Sequence, residues 1–317
     1  MKTLIIHQGA LGDVLLSFPG LDRLRNSLGG ELELWCQSQT GRLACEVGIA
    51  DHTRPAEGRI MASLYSPDPG PDASALLCPY DNVVLFSFSR ELEENVAGLC
   101  PRSSVVRIPP RPAPGERTGV ADHLVRGLVE SGLLPENEAG APVRSRTRRG
   151  ESENRNPNLV VLHPGSGSPR KCWPVQRFVE LDNALRGEGM ECLFVVGPAE
   201  LHMGRFLVDE GVLPDNVLET TNLTHLVDLL ESAGGYVGND SGVTHLAAFM
   251  GVPTTAVFGP SDPARWSPVG PRVSVIRPET ECAPCFEVER TNCDRPSCLE
   301  HTSVDDVLAG CMSLMGS

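Results

Sequence analysis

"GNDSGVTHLAAFMGVPTTAVFGPSDP", residues 238–263, decides the fold because it holds a whole strand–helix–strand transition. "GYVG" (235–238) reads as a short strand, "GVTHLAAFMG" (242–251) as a helix and "TTAVFG" (254–259) as the next strand. Between the first two stand only small and acidic residues. Gly238 ends the strand, and Asp240 or Ser241 can cap the helix. The helix's first-turn amides then lie at the carboxyl end of a sheet. Peptide groups so placed carry partial positive charge and suit a phosphate. Asp240 and Ser241 also serve an ordinary N-cap equally well. The junction alone leaves both readings open.

Working outward, the same alternation fills the chain. Downstream of residue 157, "LVVLH" (159–163) and "CLFVVG" (192–197) read as strands. "PVQRFVELDNALRGEG", "HLVDLLESAG" (225–234) and "TSVDDVLAGCMSL" (302–314) read as helices, the last capped by Thr302 or Ser303. Upstream, "TLIIH" (3–7), "LELWC" (32–36) and "NVVLFSF" (82–88) read as strands. "DVLLSFPGLDRLRNSL" (13–28) is an amphipathic helix with Pro19 inside it, and a second helix ends near Gly132. Residues 134–157 are polar, rich in Pro, Gly and Arg, and read as a linker. The expectation is an α/β protein with two doubly wound parallel sheets, one domain over 1–150 and the other over 158–317. In such sheets ligands bind at the carboxyl ends of strands, and with two domains the site is expected in the cleft they face across.

Composition narrows the function. The net charge is −14, split unevenly. Residues 1–157 hold 17 Lys and Arg against 20 Asp and Glu (−3), and residues 158–317 hold 10 against 21 (−11). So acidic a chain is a poor nucleic-acid binder. No run reaches the roughly 18–20 apolar residues of a membrane span, and the four apolar residues near the start are too few for a signal-peptide core. A cytoplasmic protein is expected.

Two further junctions carry polar loops after strands. "HPGSGSPRKCWP" (163–174) offers glycines, serines, Arg170 and Lys171 before a helix that Pro174 can start. The Walker spacing is absent, yet the loop suits a diphosphate; a flexible loop with solvated charges is the plainer alternative. "HQGALGD" (7–13) places Gly9 and Gly12 in a tight turn and Asp13 in the first turn of a helix. A carboxylate there is kept ionised by the helix end, which suits a base, but a helix cap would also be an aspartate. A dinucleotide fingerprint needs an acidic residue ending the second strand. Here "LELWCQSQ" ends in Cys and Gln, against NAD.

Taken together, "GALGDVLLSFPGLDRLR", "HPGSGSPRKCWPVQRFVEL" and the opening stretch closely resemble glycosyltransferase family 9, the ADP-heptose:lipopolysaccharide heptosyltransferases. The resemblance covers a little under half the chain; residues of about 35–157 match no motif. It implies a GT-B architecture of two Rossmann-like domains, the first on the acceptor side and the second binding the nucleotide sugar. It implies inverting, metal-independent transfer of heptose from ADP-heptose to a lipopolysaccharide core precursor, with peripheral contact at the inner membrane. The family's catalytic aspartate falls on Asp13, its donor-phosphate lysine on Lys171, and its donor-binding helix start on Asp240, Ser241 and Gly242. Ser166 falls near the phosphates, His245 matches a histidine of the same helix, and Glu200 after "VVGPA" is placed to accept hydrogen bonds from the donor ribose. The chain departs from the family at His7 and Gln8, where an arginine is common before the turn.

"CAPCFEVERTNCDRPSC" spaces Cys282, Cys285, Cys293 and Cys298 as C-x2-C-x7-C-x4-C. The first pair has the spacing of a zinc hook and the second does not. The cluster is a candidate structural zinc site. Reduced thiols in a packed loop, or disulfides, are the alternatives, and no cofactor is expected in catalysis. Rival functions are another GT-B sugar-nucleotide enzyme with a different acceptor, an epimerase, or a non-catalytic nucleotide-sugar-binding protein.

Overall fold

A computed structural model describes residues 1–66, 68–141, 155–278, 280, 284–285 and 297–316. The chain divides into two compact units, Met1–Pro142 and Val143–Ser317.

The first unit is a five-stranded sheet of β1 (Lys2–His7), β2 (Glu31–Cys36), β3 (His52–Pro55), β4 (Asn82–Phe86) and β5 (Ser104–Ile108), in the order β3-β2-β1-β4-β5. Every pairing is parallel. Leu4, Ile5 and Ile6 of β1 are buried, the near-continuous apolar run that a central parallel strand requires because helices cover both faces. The helix Leu11–Leu28 starts two residues earlier than its apolar period suggests, and Pro19 lies buried inside it.

The second unit is a six-stranded sheet of β6 (Asn156–His163), β7 (Glu191–Val196), β8 (Val217–Glu219), β9 (Ala233–Asn239), β10 (Thr254–Val257) and β11 (Val273–Ile276). Its order is β11-β10-β9-β6-β7-β8, again parallel throughout. Trp173, Phe178, Phe194 and Leu181 centre its core. Ser303 caps the helix Val304–Met315 by accepting from the Asp306 amide, which selects it over Thr302.

Both sheets have one topological switch point. In the first it lies between β1 and β4, in the second between β6 and β9, and at each the chain leaves in opposite directions along the sheet. That leaves a crevice outside the carboxyl ends of the two strands. The three motif-bearing loops follow β1, β6 and β9.

Residues 134–141, read as the start of a linker, pack against the first unit. Leu134 is buried, and the Arg23 guanidinium donates to the carbonyls of Glu138 and Ala141. Residues 142–154 of the expected linker lie outside the described residues, as do Cys282 and Cys293 of the cysteine cluster. Cys285 and Cys298 are buried. Among the described residues no helix is long and apolar enough to cross a membrane.

Candidate functional site

The second switch point brings together four of the residues singled out in the sequence. Strand β9 ends at Asn239, and the next helix is Gly242–Phe249. Its N-cap is Ser241, whose Oγ accepts from the Thr244 amide at 3.4 Å, so the capping role falls to Ser241 and not to Asp240. Asp240 is thereby left for an ion pair: its Oδ2 lies 2.8 Å from Lys171 Nζ. Ser166 Oγ donates to the Asp240 carbonyl at 2.7 Å. The loop after β6 is thus stitched to the end of β9 by Ser166 and Lys171, the latter in a short 3-10 turn, Pro169–Lys171. Gly242 opens the helix beside them. Amides of a first helical turn have no partner within the helix.

Beneath this cluster lies a buried polar network. Ser241 Oγ sits 3.4 Å from His163 Nδ1 and 3.1 Å from Thr244 Oγ1, which is 3.0 Å from the Tyr236 hydroxyl. Burial pushes His163 down to about 4, and it is neutral at pH 7. His245 is also driven to about 4, by burial first, with Asp240 opposing and Lys171 assisting. At 3.9 Å from Asp240 Oδ1, its neutral ring makes no ion pair. The histidine therefore brings no positive charge to this cluster.

Glu200 lies against the start of the loop after β6. Its Oε2 accepts from the Gly197 amide at 2.8 Å, and its carboxyl crosses so close to Gly165 that a Cβ there would lie 2.6 Å from it.

The first switch point holds Asp13, in the first turn of the helix Leu11–Leu28. Ala10 has no side-chain oxygen to cap the helix, but Asp13 Oδ2 accepts from the Ala10 amide at 3.2 Å. Asp13 also lines a cavity of about 260 Å³ with His7, Gln8, Gly9, Phe86, Ser87, Phe88, Pro110 and Arg111. His7 is buried, pushed down to about 4 by burial, and accepts the Gly9 amide at Nδ1 (3.0 Å). Neither it nor Gln8, whose Oε1 accepts from Tyr65 at 2.5 Å, supplies positive charge. The cavity's cation is Arg111, with its guanidinium 5.4 Å from the centroid of the Phe88 ring. Gly12 falls within the helix, while Gly9 makes the turn. Arg111 did not stand out in the sequence, because β5 was not recognised as a strand and "IPPRPAPG" therefore had no junction to belong to, and Phe88 was read as the end of a strand that stops at Phe86. Asn239, inside the quoted opening stretch, was given no role.

A family profile for glycosyltransferase family 9 (heptosyltransferase) matches residues 133–294. Lipooligosaccharide heptosyltransferase 2 of Haemophilus influenzae is 28% identical over 127 residues, 38% of this chain and 36% of that protein. The matched segment thus spans little more than a third of the curated relative's length. Among solved structures, E. coli ADP-heptose LPS heptosyltransferase II aligns with a TM-score of 0.76 at 17% identity, covering 99% of this chain and 98% of that one. E. coli heptosyltransferase WaaC with ADP aligns with a TM-score of 0.69 at 17% identity, covering 97% and 98%. These likenesses carry the fold: two Rossmann-like units of the GT-B class. With the family profile matched over just more than half its length, from the end of the first unit through the loops after β6, β9 and β10, the chain belongs to glycosyltransferase family 9.

Proposed function

We propose that this protein is an inverting glycosyltransferase that moves heptose from ADP-heptose to an inner-core sugar of lipopolysaccharide. The observation that carries the reading is the Lys171–Asp240–Ser166 cluster at the second switch point, on motifs inside the family match. There Lys171 and the first-turn amides of Ser241 and Gly242 meet the donor's diphosphate. Charge growing on the leaving phosphate is stabilised where it develops, the term that usually dominates such catalysis. Asp240 holds the Lys171 ammonium at that position, and Glu200 accepts from the donor ribose. His245 contributes shape and no charge.

Asp13 is the general base. The acceptor hydroxyl oxygen forms the new bond to the anomeric carbon as the bond to the ADP oxygen breaks. ADP leaves with that electron pair, the hydroxyl proton passes to Asp13, and the configuration inverts. Arg111, over Phe88, faces the same cavity and suits an anionic acceptor sugar: the guanidinium pairs with a carboxylate or phosphate, and the exposed ring offers an apolar face to a sugar. It takes the place of the arginine that the chain lacks at His7. The acceptor's lipid anchor implies transient contact with the inner membrane on its cytoplasmic side. A structural metal on Cys282, Cys285, Cys293 and Cys298 belongs to the same reading, and metal analysis of protein purified without chelator tests it.

Incubation with ADP-heptose and truncated lipopolysaccharide acceptors should release ADP only when both substrates are present. Acceptor-independent release at the same rate, or none with any acceptor, refutes the transferase.

A further inference from the structure

The Lys171 loop is long, glycine-containing and bounded by two prolines. Such a segment holds a cation in register only if its ends are fixed. Asn239, at the last position of β9, is fully buried and touches both ends. Its Oδ1 accepts from the Trp173 amide at 2.9 Å. Its Nδ2 donates to the Pro164 carbonyl at 2.7 Å and reaches the Gly165 carbonyl at 3.4 Å. One side chain thus accepts at the loop's far end and donates at its near end. Only a group with one donor and one acceptor on a short stem does both, and an amide supplies them. Trp173 is itself set in the core, with Nε1 donating to the Thr302 carbonyl at 3.2 Å. The next residue, Asp240, receives both Lys171 and Ser166.

We propose that Asn239 is a positioning residue for donor binding: it clasps the Pro164–Trp173 loop at both ends and so sets Lys171 and Ser166 against the end of β9. It touches no substrate and acts through the loop. The inference rests on the donor reading of this cluster, from which its test can be separated.

The diagnostic variant is Asn239→Asp, nearly isosteric. At pH 8 the carboxylate still accepts from the Trp173 amide but faces the Pro164 carbonyl with no proton to give. The unsatisfied buried partner opens the clasp, so ADP affinity by calorimetry should fall roughly 10- to 100-fold. The donor KM should rise to match, and kcat should fall relative to the unaltered protein as well, because Lys171 also meets the charge that grows on the leaving phosphate. Burial beside the Pro164 carbonyl raises the introduced carboxyl's pKa, so lowering the pH to 5.5 protonates it, restores one donor and one acceptor, and should bring affinity back toward that of the unaltered protein. His163 and His245, which face the loop, titrate near 4 and stay neutral over this range. Lys171, Asp240, Glu200 and the nucleotide itself are common to both proteins and drop out of the affinity ratio.

Asn239→Ala, which adds no charge, should show the loss without the recovery; it also serves if the aspartate variant does not fold. Wild-type ADP affinity in both variants, or losses in Asn239→Asp that ignore pH, overturns the proposal. Lys171→Ala measured alongside separates the two layers. If it weakens ADP binding while the Asn239 variants do not, the donor reading stands and only the clasp falls. If it leaves affinity unchanged, both fall.

Discussion

Asp13 is the residue on which two explanations meet, since its carboxylate accepts from the Ala10 amide and also lines the cavity. A cap needs an acceptor oxygen; a base needs a basic one. Asn keeps the first property and loses the second, so Asp13→Asn should leave the melting temperature within a few degrees. Turnover should fall roughly 100- to 10,000-fold, the range for losing a positioned base. Steady-state kinetics beside a thermal melt decide it, and near-normal turnover would return Asp13 to its capping role. At this scale the sequence was legible where a motif fixes a residue's place after a strand. Asp13, Lys171, Asp240 and Ser241 were singled out that way. It was illegible where function comes from contact: nothing in "GND" announces that Asn239 reaches Pro164 and Trp173, residues 75 and 66 positions away. Nor could the spacing separate the paired Asp240 from the capping Ser241, since either side chain makes a good cap.

Among elements, the turn from β1 into the helix Leu11–Leu28 is set by close approach. Gly9 is absent from the glycines with positive φ, so its backbone conformation is open to other residues. A Cβ there, however, would lie 2.6 Å from His7 Cε1 and 2.8 Å from Asp13 Cβ. Gly9→Ala must therefore push apart the imidazole and the aspartate. A misplacement near 1 Å costs about 100-fold in a positioned reaction. Turnover should drop by about that factor in an acceptor-saturated assay with ADP affinity untouched, because the donor residues stand on the other sheet; an equal loss of affinity would contradict the division of labour. The elements themselves were read unevenly. Strands β1, β2, β4, β6, β7, β9 and β10 show apolar runs because both faces are covered. The four that escaped notice, β3, β5, β8 and β11, are the edges of the two sheets. They are short and none is fully buried, so patterns such as "VSVI" in β11 or "SVVRI" in β5 are too brief to mark a strand.

For the molecule as a whole, three histidines are folded away neutral, His7, His163 and His245, each brought to about 4 by burial. In the unfolded chain each regains a pKa near 6.5. Between those values the unfolded state holds protons that the folded state lacks. Their contribution is therefore complete above about pH 6.5 and is lost as the pH falls toward 4. At pH 5.5 each should have cost on the order of 1 kcal/mol relative to pH 7.5. Urea midpoints at the two pH values should show stability declining well above the carboxylate range, and a flat profile would mean that these rings are solvated. The sheet order has a consequence of another kind. Strands β6 and β9 are neighbours at the centre of the second sheet, yet β7, β8 and their helices come between them along the chain. On the ribosome β6 must wait for some seventy later residues before its partner emerges, and non-local pairing of this sort is slow. The first unit is complete by then. The nascent second unit acquires the Lys171–Asp240–Ser166 cluster only when β9 docks, making that late event the commitment step at which an interrupted chain separates from a complete one.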